Sequence, residues 1–143
     1  MRNEAEFKAL RELVGMSQSM LADTLGVRVL SVKRWENPNY DWRPPDEAWE
    51  VLDRARAKQL EVVRFAVFKV KGLENQAGER PGTVNLTYWR SEDEYEAAHP
   101  GEGAKWQMAN ANSRLVCHEL ERLGYSVAFG FGGLASLEEQ KDN

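Results

Sequence analysis

The sequence predicts a mainly α protein with a small β part, of the α+β class: four to five amino-terminal helices, then a small β-α-α-β unit. Three observations carry this. Apolar residues recur at spacings of three and four through residues 3–71, the period of helices with one buried face. Gly15 and Gly26 directly follow two of these runs, where helices characteristically stop. Beyond residue 72 two short stretches, TVNLTYW from Thr83 and YSVAFGF from Tyr125, have the composition and, in the first, the strict alternation of strands.

Taken in order, residues 3–14 form a first helix with Phe7, Leu10, Leu13 and Val14 inward. Ser17 caps a second, placing Gln18 at its first position and Leu21, Ala22 and Leu25 on its inner face. Gly26 can take the left-handed conformation that ends it, and Val27 begins a tight turn. A third helix from about Val29 to Glu36 turns Val32 and Trp35 inward, leaving Arg28, Val29, Leu30, Ser31, Lys33 and Arg34 outside. Asn37 to Pro45, NPNYDWRPP, is a loop punctuated by three prolines.

Asp46 caps a long helix, about 46–71, with Trp49 and Leu52 facing the core. The stretch 62–70, VVRFAVFKV, has strand propensity, but no breaker interrupts Asp46 to Gly72, so a helix is preferred. It is apolar on more than one face, as befits a segment buried between elements or between subunits. Residues 72–82 form a polar loop. After the first strand, Ser91 and Glu94 make a capping box for a short helix ending near Ala98. Another helix spans 104–123, with Met108, Ala111, Leu115, Val116, Leu120 and Leu123 inward, before the second strand. The glycine-rich and charged tail from Gly132 is expected to fray. The division expected is 1–71 and 72–143. Two strands are marginal alone, and pairing across a two-fold axis would complete the sheet.

A length of 143 residues suits one domain or two small ones. No apolar run approaches the roughly 20 residues of a membrane span. The charged, amphipathic amino terminus is no secretion signal, and the single cysteine, Cys117, cannot form an internal disulfide, so a cytoplasmic location and no membrane partner are expected. The net charge of −4 lies wholly in residues 65–143, while residues 1–64 balance at eleven of each sign. Within 28–43, Arg28, Lys33, Arg34 and Arg43 outnumber Glu36 and Asp41. A modest basic patch on a neutral domain fits a specific DNA reader rather than a coating protein.

Ser17-Gln18, Leu21-Ala22-Asp23, Leu25-Gly26-Val27 and Val32-Lys33-Arg34-Trp35-Glu36 resemble the lambda-repressor-like (Xre) helix-turn-helix family. Many members carry Ser or Thr where this chain has Arg28, so the third helix is expected to lack a side-chain cap. More loosely, Phe7 to Arg11, Pro45-Asp46, the long helix and TYWRSEDEYEAAHPGEGAKW from Thr87 to Trp106 are similar to a narrower group that includes the anti-CRISPR-associated repressors. That resemblance implies a small carboxy-terminal dimerisation domain, a homodimeric autorepressor and, for some members, RNA-hairpin binding. The NPNYDWRPP loop is longer than in that group, so its contacts are not carried over.

The outer face of the third helix suits the DNA major groove. Ser31, Lys33 and Arg34 are the expected base readers, with Val29 and Leu30 against thymine methyls. Gln18, Arg28, Arg43 and Tyr40 are the expected phosphate contacts. Trp42 suits either a phosphate contact or a lid on the small core. The expected partner is a palindromic double-stranded operator met by a homodimer, which places two reading helices one DNA turn apart. The acidic second half and its apolar strands also fit an antitoxin that holds a toxin-like partner protein.

No enzyme chemistry is expected. Cys117 and His118 point about 100° apart on a helix and do not make a nucleophile–base pair. His99 stands alone at a helix end. No zinc spacing or dinucleotide glycine motif is present, so no metal or cofactor is expected. Glu92, Asp93 and Glu94 open a helix, where acidic residues favour the dipole. Tyr88, Trp89, Trp106, Tyr125, Phe129 and Phe131 suit a core and dimer interface, or a ligand pocket.

Overall fold

The computed structural model describes residues 2–102 and 105–132; of the expected tail, only Gly132 lies within them. The elements run α1 (Glu4–Val14), α2 (Gln18–Leu25), α3 (Val29–Trp35), α4 (Asp46–Ala77), β1 (Val84–Tyr88), α5 (Glu92–Ala98), α6 (Trp106–Arg122) and β2 (Val127–Phe131). This is the α+β order expected. Two compact units divide at Leu60 and Glu61, within α4. Among the described residues no helix is long and apolar enough to cross a membrane.

The first unit closes around Phe7, Leu21, Ala22, Val32, Ala48 and Leu52, all fully buried. Phe7 is its hub, meeting Trp35 edge-on at 6.2 Å and Trp49 at 5.0 Å between ring centroids. Edge-to-face pairs of this kind add roughly 0.5–1.5 kcal/mol to area burial. Asn3 caps α1 in a reciprocal box with Glu6. The inward stripe of α1 differs from expectation: Phe7, Arg11 and Val14 are buried, while Leu13 faces out. The carbonyl of Leu13, left without a helical partner, accepts 2.8 Å from the buried Gln59 amide. Gln59 in turn accepts 2.8 Å from Arg56, so its carbonyl oxygen is partnered.

In the second unit the stretch 62–70 is helical, and α4 continues six residues past the expected end to Ala77. Gly72 does not stop it, since Leu73 to Ala77 are compatible with a helix; Gly78 does, at φ +75, with its N–H bonded to the Glu74 carbonyl at 2.9 Å. Tertiary packing overrides strand propensity here. Val63, Ala66, Val67 and Val70 line one face of α4 against a core of Val116, Leu120 and Tyr125.

β1 and β2 pair in parallel, Val84 opposite Val127 through Tyr88 opposite Phe131, with α5 and α6 in the crossover. Asn110 of α6 ties down Trp89, the first residue after β1. Its amide accepts from the Trp89 N–H at 2.7 Å and donates to the Trp89 carbonyl at 2.8 Å, as a further strand would. Ser91 caps α5 as expected, accepting from the Glu94 N–H at 3.2 Å. The reciprocal half of the box is displaced: Glu94 takes the backbone N–H and guanidinium of Arg90.

Candidate nucleic-acid interface

α2 and α3 are set by their ends. The Ser17 hydroxyl accepts from the Met20 N–H at 3.0 Å. Gly26, at φ +68, turns the chain, and the Val27 N–H closes on the Ala22 carbonyl at 3.0 Å. Ala22 is fully buried at the crossing, where a larger side chain would hold the helices apart. α3 then starts at Arg28, which makes no side-chain cap bond, as its residue type predicted.

Val32 and Trp35 anchor α3 inward, so the spacing of the helix fixes what faces out. Lys33 and Arg28 are exposed, Leu30 is 50% exposed, and Val29, Ser31 and Arg34 are half-buried. The five expected base readers therefore lie together on one short helix, with Arg28 at its amino end.

An ion pair missed at the sequence level holds the far end of α3. Arg11 donates to Glu36 through Nε at 2.6 Å and Nη2 at 2.8 Å, and its Nη1 donates to the Met16 carbonyl at 2.9 Å. The two side chains are only 8% and 4% exposed. One bidentate contact thus ties α1, the α1–α2 turn and the end of α3. The only sequence signal is that Arg11 lies four residues after Phe7, on the apolar stripe. Gln18 joins the same cluster, its Nε2 donating to Glu36 at 3.2 Å, which commits one of its two N–H groups.

Burying Glu36 against Arg11 changes the electrostatics of the outer face. The patch from 28 to 43 presents Arg28, Lys33, Arg34 and Arg43 against Asp41 alone, a stronger cationic surface than the linear count implied.

The loop after α3 is ordered by Asn37, whose side chain accepts from the Asn39 N–H at 2.9 Å and whose carbonyl accepts from Tyr40 at 3.2 Å. Tyr40 and Trp42 are each 48% exposed, so Trp42 is no lid on the core. Both rings approach Arg34: its guanidinium carbon lies 4.7 Å from the Trp42 centroid and 5.6 Å from that of Tyr40. Arg43 stands apart from that cluster, lining a cleft with Arg2, Asn3, Glu4, Pro44 and Trp49. There Arg2 covers the Trp49 ring at 4.4 Å and pairs with Asp53 at 2.7 Å.

Cys117 and His99 are occupied structurally. Burial, and then the bond to Glu121, push the Cys117 thiol up to about 11, away from nucleophilic use. His99 stacks on Tyr95 at 4.7 Å in an aromatic cluster with Trp89. Among the described residues no group of three or more His, Cys, Asp or Glu is placed to hold a metal ion.

A helix-turn-helix family model matches residues 7–37, the span from the hub Phe7 to the first residue after the Arg11–Glu36 pair. No curated protein matches the chain. The residues behind the narrower resemblance to anti-CRISPR-associated repressors lie mostly beyond the matched span. The matched span takes in the capped α2, the Gly26 turn and the anchored α3, and the segment 7–37 is a helix-turn-helix of the lambda-repressor-like (Xre) type, the domain of a DNA-binding regulator.

Proposed function

We propose that the protein is a sequence-specific transcriptional repressor that binds a palindromic operator as a homodimer and controls its own operon. The observation that carries this is the outward face of α3, held by Val32, Trp35 and the Arg11–Glu36 pair, with its polar and apolar readers side by side. Ser31, Lys33 and Arg34 read base edges, and Val29 and Leu30 pack on thymine methyls. Arg28, Arg43, Tyr40 and the free N–H of Gln18 hold phosphates and fix the register. No cofactor is required by this scheme.

Residues 1–71 carry DNA reading and 72–143 dimerisation, with the apolar outer side of α4 joining the second role. Phe65 and Phe68, on the side of α4 away from Val63 and Val67, are 63% and 73% exposed. Phe129 and Phe131 of β2 are also exposed. Large apolar side chains left outside a small unit favour a subunit contact.

Fluorescence anisotropy tests the reading, with the protein on its own upstream DNA against scrambled DNA across a salt series. Tight binding to the upstream fragment alone, with a moderate salt slope, is expected. Arg34→Ala should weaken it by about 1–3 kcal/mol and relax preference at one position. Equal weakening on every sequence would make Arg34 a phosphate contact. Absence of preference in the wild type would overturn the reading and bring the antitoxin alternative forward.

A further inference from the structure

We infer that Tyr40 and Trp42 are positioning residues that hold the Arg34 guanidinium for an end-on reading of a single guanine. This rests on the function proposed above and deepens it. Three observations converge. Both rings lie within cation–π range of the Arg34 guanidinium carbon, at 5.6 and 4.7 Å. Both rings are about half exposed, at 48% each, and neither belongs to the core of the first unit. The Arg34 Nε is fully covered and has no hydrogen-bond partner.

The last observation sets the geometry. An arginine can approach a flat acceptor pair side-on, through Nε and one amino group, or end-on, through its two Nη amino groups. Covering Nε closes the side-on route. Among the described residues neither Nη group makes a hydrogen bond, and neither is buried without one, so both remain open to a ligand. The fork they form matches the N7 and O6 acceptors that guanine presents in the major groove. An unpartnered buried N–H is costly, so holding Arg34 in a pose that leaves one needs a compensating gain. Pre-organisation supplies it. Arginine carries much rotamer entropy, and a side chain already stacked loses less of it on binding. The loop that resists carry-over from relatives is, on this account, part of the reader.

Two measurements test the inference. In the free protein, the Arg34 Nε–H should give a slowly exchanging NMR signal moved by ring currents, absent in Arg34→Ala and restored to random-coil behaviour in Trp42→Ala. On the operator, Trp42→Ala should weaken binding roughly 3- to 10-fold, with unfolding curves unchanged, and so should Tyr40→Ala measured against Tyr40→Phe, which keeps the ring and removes the hydroxyl that holds phosphate. The loss should vanish on an operator in which the one guanine is replaced, Trp42→Phe should retain most of the affinity, and Arg34→Ala/Trp42→Ala should bind no more weakly than Arg34→Ala. A uniform loss on all operators, full additivity in the double variant, or no effect of either ring would overturn the inference. If the wild type prefers no sequence, the function reading fails and guanine reading with it. A shifted Nε–H signal in that case would leave the stack standing as geometry only; without the signal, the stack itself is refuted.

Discussion

The two units solve the same problem of a small core in opposite ways. The first is finished within one chain. Its hub phenylalanine is covered on all sides, its charged pair is sealed, and the end of α1 is closed by Gln59. Of the large apolar side chains it leaves outside, the most exposed lie on α3 and the loop behind it: Leu30, Tyr40 and Trp42. The second unit gathers a core from Val116, Leu120 and Tyr125 but leaves Phe65, Phe68, Leu73, Phe129 and Phe131 in solvent. Under the proposed function, the finished unit would serve recognition and the open unit, with its exposed phenylalanines, association.

The sharpest way to break that contrast is at the sealed pair. Arg11→Ala leaves Glu36 buried without its partner and should cost the first unit about 3–5 kcal/mol in denaturant unfolding. A loss below about 1 kcal/mol would show that Glu36 relaxes to solvent and that the pair does not close the unit. In the second unit the corresponding tie is Asn110. Asn110→Ala strands the Trp89 N–H and carbonyl and should cost about 1–3 kcal/mol, read by hydrogen exchange at β1. If the exchange at Trp89 and β1 does not change, Asn110 is not what holds the end of β1.

Phe68→Ser probes the open side. In the proposed homodimer it should shift sedimentation from dimer towards monomer while leaving helix content unchanged, because the side chain is 73% exposed. A variant that stays dimeric would remove α4 from the subunit contact. The smallest effect is expected at the surface pair of the first unit. The Arg2 hydrogen bond holds the Asp53 carboxyl below its ordinary value of 3.8. Its contribution is present above that value and is lost as pH falls through the depressed one. Asp53→Asn should therefore be slightly destabilising at neutral pH and indistinguishable from wild type in strong acid. A difference that grows on acidification would reverse the assigned sign.

Legibility from sequence follows range. Caps and turns within a few positions, such as Ser17, Gly26 and Ser91, act locally and were readable. So was the anchoring of α3 by Val32 and Trp35, which needs only helical period. Arg11 was not, because its partner lies 25 positions away and a cation on an apolar stripe carries no local sign of what it will meet. The direction of strand pairing was likewise invisible, since alternation is the same in parallel and antiparallel ladders. The end of α4 was misplaced because Gly72 tolerates helix when both flanks favour it. The outward placement of Arg28, Leu30 and Lys33 around α3 follows from helical period, whereas the stacking of Tyr40 and Trp42 on Arg34 depends on the path of a proline-rich loop that no period describes.

The parallel pairing of β1 with β2 also has a consequence in time. Partners such as Val84 and Val127 are 43 positions apart, so every bond of that sheet waits for the whole crossover to exist. The ties among α1, α2 and α3 span far fewer residues and close early. At ribosomal rates of about 5–20 residues per second, on the order of ten seconds separate the emergence of Trp35 from that of Phe131. This order of closure predicts a helix-turn-helix complete on a nascent chain whose β1 still lacks its mate.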